Sequence, residues 1–169
     1  MLLRIGSAVG LPLAMLAGYS LLPLPEAGDA RTVYFVLSGV GLAVYAWLIV
    51  WGLGHLRSTR YPVVDGIILT ICLASLIILG FAWTYQVVMA QDPAAFSESM
   101  NKYSAVYFTV TVLTTVGFGD ITPVSDAARM VVTAQMLLGI SLISLTLKIV
   151  LQAAKDARQA KDASSRRPG

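Results

Sequence analysis

A backbone polar group in hydrocarbon must find its hydrogen bond inside the protein, so long apolar runs in one chain are read first as spanning helices. Four runs near the roughly 20 residues that cross a bilayer can be drawn here. They are Leu2 to Leu24, broken by Pro12 and closed by Pro23 and Pro25; Val33 to Leu56; Val63 to about Ala90; and Arg129 to about Ala153. The third is interrupted only by Asp65 near its start, where a carboxylate can face headgroups and the positive end of the helix. A composition of 57% hydrophobic and 12% charged residues, with a mean hydropathy of +0.76, agrees with a bilayer solvent. The fold class expected is an all-α membrane protein with four transmembrane helices. Between the third and fourth runs lies Gln91 to Pro123, too short and too polar to cross, which makes it a loop or a half-span.

Basic residues set the orientation, because short translocated loops avoid Lys and Arg. With both termini inside, Arg4, Arg57, Arg60, Lys148, Lys155, Arg158, Lys161, Arg166 and Arg167 are cytoplasmic, which is nine of the chain's 12, and only Arg31, Lys102 and Arg129 fall outside. The expectation is a multi-pass protein of the cell membrane with cytoplasmic termini and an outward-facing 91–123 loop. Met1 to Leu24 read alone also fits a cleaved signal peptide. Its apolar run is long for one, no small-x-small site precedes Arg31, and Gly6, Gly10, Ala14 and Gly18 recur every four positions, all of which favours a retained, packed helix.

Cys72 stands alone in the third run and reads as packing, while His55, the sole histidine, reads as a cation at a helix end. Neither suggests a metal site. There is no Gly-rich phosphate loop, no nucleophile beside a base and no carboxylate pair within an apolar run, so enzyme chemistry has nothing to stand on.

The stretch from Tyr107 to Pro123 reads Tyr-Phe-Thr-Val-Thr-Val-Leu-Thr-Thr-Val-Gly-Phe-Gly-Asp-Ile-Thr-Pro. It resembles the signature of potassium channels. The resemblance implies a re-entrant pore helix at 104–114 and an extended selectivity filter at 115–120, set between an outer helix 63–90 and an inner helix 129–153. It extends over about Pro62 to Ala154, so a pore domain at 57–154 is expected, preceded by two further helices in 1–56 and followed by a basic tail at 155–169. Filter carbonyls replace the water around a dehydrated ion. The residues implied are Thr115, Val116, Gly117, Phe118 and Gly119, with potassium held at Thr115, Val116, Gly117 and Phe118 as a permeant ligand and no cofactor.

The residue types suit that role. Gly117 and Gly119 lack a Cβ and can adopt the angles that aim successive carbonyls one way. Thr115 can add its hydroxyl oxygen at the inner mouth, and Val116 and Phe118 can wedge the strand against the pore helix, with Thr111 and Thr114 behind it. The negative end of that helix would face the point where a cation loses its water. In the family pattern an acidic residue at the outer mouth is braced by a pore-helix aromatic, which matches Asp120 and Tyr107; Asp120 alone also reads as a solvated vestibule charge. Phe118 departs from the tyrosine common in the family, so packing must replace the missing hydroxyl.

Gly139 falls at the spacing where the family often places a hinge, although close helix packing explains a membrane glycine equally well. Ile140, Ile143 and Leu147 recur at helical spacing and match cavity-facing positions, forming a candidate hydrophobic gate. Lys148 beside them is expected to snorkel to headgroups. The second run carries no basic residue before His55, so steep voltage sensing is not expected. The first two helices are expected outside the pore as lipid-facing or stabilising elements, and the basic tail extends toward anionic lipids. One signature per chain requires a homotetramer. No nucleic-acid partner is expected. A regulatory subunit and a non-selective cation channel are the competing classes, and the uninterrupted Val-Gly-Phe-Gly run argues against the second.

Overall fold

The computed structural model describes residues 13–21, scattered positions between 36 and 54, and 62–165. All three segments are helical in whole or in large part, and no strand occurs among the described residues. The remainder of the two expected N-terminal spans, His55, and the small positions Gly6 and Gly10 lie outside the described residues. Three helices carry the rest: α1, Pro62–Gln91; α2, Lys102–Leu113; and α3, Asp126–Ser165. Among the described residues two segments, Val63–Gln91 and Asp126–Gln152, are long and apolar enough to cross a membrane. At 1.5 Å per residue the 12-residue α2 is about 18 Å long and cannot cross.

The helix ends differ from the expected ones for local reasons. Asn101 caps α2, its side-chain oxygen accepting from the amides of Tyr103 and Ser104 at 2.9 Å each, so the helix begins at Lys102 rather than at Ser104. Ser125 does the same for α3, accepting at its Oγ from the Ala128 amide at 3.2 Å, and the helix begins three residues before Arg129. At its far end α3 runs on through the basic tail to Ser165. Its 40 residues reach about 60 Å, well beyond a hydrocarbon core of about 30 Å.

Contacts between named residues set the directions. Gly66 meets Ile149 and Tyr85 meets Gln135, so α1 and α3 run antiparallel. Leu113 meets Gly139 and Thr109 meets Gln135, so α2 and α3 run in the same direction. The core at this level is aromatic: Tyr85 packs on Phe81, Phe96 and Phe108, with ring centroids 6.2, 5.4 and 5.2 Å away. Buried Gln86 adds a bond from its Nε2 to the Met100 carbonyl at 3.0 Å, tying α1 to the residue before the α2 cap.

Two loops close over this core. Phe96 pairs with Pro123 in an isolated antiparallel bridge, held by Ser97 N to Thr122 O at 2.9 Å and Val124 N to Ala95 O at 2.8 Å. Helical residues 13–21 reach the same end: Lys102 Nζ donates to the Ser20 carbonyl at 2.8 Å, and the Tyr19 hydroxyl donates to the Lys102 carbonyl at 3.4 Å. This stretch therefore braces the start of α2 and is more than a lipid-facing surface.

Candidate functional site

Residues 114–120 join α2 to the loop leading into α3, and every one of them is exposed on the single chain. The segment leaves α2 through a Schellman motif. Thr115 N donates to Val112 O at 3.1 Å and Val116 N to Thr111 O at 3.0 Å, which are the two bonds that close a helix whose C′ residue is left-handed. Thr115 is that residue, with φ at 61°, a position where glycine is usual and a β-branched side chain is strained. A threonine in that conformation costs about 1–2 kcal/mol relative to a right-handed one.

Left-handed φ then recurs at every second residue, at Gly117 with 51° and Gly119 with 81°, while Val116 and Phe118 keep negative φ. In this alternation successive amides turn to one side and carbonyls to the other. The amides of Val116 and Gly117 both point back to α2, where the Thr111 carbonyl accepts them at 3.0 and 3.2 Å. A Cβ built on Gly117 or Gly119 meets nothing within 4 Å on the same chain, so these glycines are required by backbone angle and not by space.

The two threonines expected behind the segment turn their hydroxyls into their own helix. Thr111 is buried, yet its hydroxyl donates to Phe108 O at 2.8 Å, and it is the carbonyl that holds the segment. Thr114 turns its hydroxyl to Val110 O at 2.8 Å, back into its own helix.

At the end of the segment away from α2's C-terminus, Tyr107 grips it twice. Its hydroxyl donates to Asp120 Oδ2 at 2.8 Å, and its ring lies parallel to that of Phe118, centroids 6.3 Å apart and planes within 5°. Phe118, without a hydroxyl of its own, is thus held by stacking. The hydrogen bond from Tyr107 holds the Asp120 carboxyl below its ordinary value, and the same bond pushes the Tyr107 phenol up.

Gly139 lies on α3 against the end of α2: an added Cβ would sit 3.2 Å from Leu113 Cδ1 and 3.8 Å from the Leu113 carbonyl oxygen. Close packing is thus an observed property of this glycine. Below it, Ile140, Ile143 and Leu147 share an exposed face of α3, as does Val150. Lys148 is also exposed.

Sequence reasoning passed over the polar group behind the site. Gln135, fully buried on α3, accepts at Oε1 from the Tyr85 hydroxyl and donates from Nε2 to the Thr109 carbonyl at 2.8 Å. The signal was available: a glutamine in the middle of an apolar span is costly unless hydrogen-bonded, so its presence alone marks a partner. Among the described residues no group of His, Cys, Asp and Glu could hold a metal ion.

Comparison with known proteins places residues 67–156, just over half of the 169, in a match to the family model described as "Ion channel". The calcium-gated potassium channel TvoK of Thermoplasma volcanium is 36% identical over 75 residues, covering 44% of this chain and 22% of that protein. Two pore potassium channel b of Oryza sativa subsp. japonica is 32% identical over 71 residues, covering 42% of this chain and 20% of that protein. The match thus spans about a fifth of the length of these relatives. No solved structure matches the chain significantly.

Proposed function

The chain belongs to the ion-channel family, and from that premise we propose that four copies of it enclose one pore that conducts potassium selectively and passively across the membrane. The observation that carries this reading is the alternation of left-handed φ at Thr115, Gly117 and Gly119, combined with the return of the Val116 and Gly117 amides to Thr111. Carbonyls set opposite those amides, contributed by four chains, form rings of oxygen that stand in for an ion's hydration shell. Exposure of the whole 114–120 segment on a single chain fits an element completed by its neighbours. The end of α2 supports it electrostatically, because a helix C-terminus carries about half a negative charge and here it faces the same segment.

Asp120 and Tyr107 hold the outer mouth in this scheme. Ile140, Ile143 and Leu147 line the path below, where branched apolar rings can dewet and block ions without complete steric closure. The Arg- and Lys-bearing end of α3 lies at cytoplasmic anionic headgroups, with both termini inside the cell. The relatives' names support the choice of ion, since both are potassium channels.

Purified protein in liposomes, assayed for flux driven by a potassium gradient with sodium as the control, tests the reading. Selective potassium flux is expected. Equal flux of both ions would favour a non-selective cation channel, and a folded tetramer without flux would favour a regulatory subunit.

A further inference from the structure

We propose that Gln135 is a positioning residue that fixes the filter-bearing helix α2 in register on α3 and thereby sets the backbone geometry of 115–119, a role that rests on the filter reading above.

A primary amide has no reason to stand inside an apolar span unless both of its ends are used. Here they are. The Thr109 carbonyl can only accept, so it takes the Gln135 N–H at 2.8 Å, and this leaves Oε1 to accept from Tyr85. All three residues are fully buried, and they come from α2, α3 and α1 respectively. Tyr85 cannot swing away, because Phe81, Phe96 and Phe108 surround its ring.

The register is what gives the arrangement a function. Gln135 and Gly139 are one turn apart on α3, and their partners Thr109 and Leu113 are one turn apart on α2. One contact is a directed hydrogen bond and the other a close approach of glycine to a helix end. A slide of α3 by a single residue, about 1.5 Å, would break the first and drive the second into a side chain. Thr109 lies two residues before Thr111, whose carbonyl holds the Val116 and Gly117 amides. Displacement of α2 at Thr109 is therefore displacement of the filter's anchor. Motion of α3 that opens the pore must then bend below Gln135, or it must carry the filter with it.

The test uses the full chain with Gln135→Leu, Tyr85→Phe and the double variant, each checked for tetramer formation. Amide hydrogen exchange at Val116 and Gly117 and the potassium-to-sodium flux ratio in liposomes are the two readouts. Gln135→Leu is expected to speed exchange at both amides and to lower the flux ratio, each by about tenfold. Tyr85→Phe, which removes one hydroxyl and keeps the ring, moves both in the same direction by less. The double variant matches Gln135→Leu, because the two side chains act as a unit. Unchanged exchange in an assembled Gln135→Leu tetramer overturns the inference, whatever the flux. A wild-type protein that does not distinguish the ions sinks the filter reading instead, and the exchange data still decide the role of Gln135.

Discussion

The outer and inner halves of the helical core are built on different principles. The outer half, from Tyr85 and Gln135 up to the Phe96–Pro123 bridge, is cross-linked by directed bonds, Gln135 to Thr109, Gln86 to Met100 and Tyr107 to Asp120, and by the three packed rings of Tyr85, Phe96 and Phe108. The inner half has close apolar packing, with Gly66 against Ile149 where α1 and α3 cross, and an exposed apolar face at Ile140, Ile143 and Leu147. Directed bonds specify one geometry, whereas apolar contacts tolerate sliding and repacking. Under the proposed function a selective filter needs the first and a gate needs the second, and the two would be separated along one continuous helix.

The sharpest way to break the outer half is at its backbone. Gly117→Ala forces a Cβ onto a residue at φ 51° and is expected to reduce potassium flux by at least a hundredfold while tetramers still form on size-exclusion chromatography. Wild-type flux would show that the segment does not conduct.

The inner half answers to polarity instead. Leu147→Asn should hydrate the apolar ring and raise resting open probability severalfold in single-channel recordings, with Lys148→Gln changing conductance little. If Lys148→Gln greatly raises current while Leu147→Asn leaves gating untouched, a ring of lysines and not of apolar side chains is the barrier.

A smaller effect is expected at the inner helix crossing. Gly66→Ala places a Cβ 2.8 Å from Ile149 Cγ2 and should cost about 1–3 kcal/mol in stability, read as a lower midpoint in denaturant. Adding Ile149→Ala removes the clashing carbons and should recover part of it; no recovery would place the strain elsewhere.

The mildest test is acidification. Asp120 has a lowered pKa because Tyr107 donates to it, so the tie adds stability above the ordinary carboxylate range and loses it as pH falls through the lowered value. The raised Tyr107 phenol gives the mirror-image behaviour, its contribution present below about pH 10 and lost as pH rises further. Melting temperatures of the tetramer should fall slightly at both extremes, and Tyr107→Phe should flatten both ends. Unchanged pH dependence in that variant would remove the tie from the account.

What could be read from the sequence follows the same division. The apolar lengths of α1 and α3 and the Thr-Val-Gly-Phe-Gly-Asp run are local properties, written in consecutive residues; both ends of α1 and the start of α3 fall within a few residues of the ends drawn from hydropathy, whereas α3 runs on to Ser165 because its polar tail continues the helix after the apolar signal stops. The start of α2 was missed because its cap, Asn101, lies in a polar loop where periodicity is silent. The left-handed Thr115 was missed because a β-branched residue is the last candidate for that conformation. Tyr85, Thr109 and Gln135 are separated by 24 and more residues, and only the tertiary fold brings them together. Their polarity in apolar helices was the one trace they left.

The proposed separation of a fixed filter from a deformable inner helix depends first on the filter being selective. Planar bilayer recordings of the wild-type chain, with potassium on one side and an equal concentration of sodium on the other, measure that without reference to gating. The account predicts a reversal potential displaced strongly in the direction set by potassium permeation; a reversal potential near zero, with robust current, would contradict it.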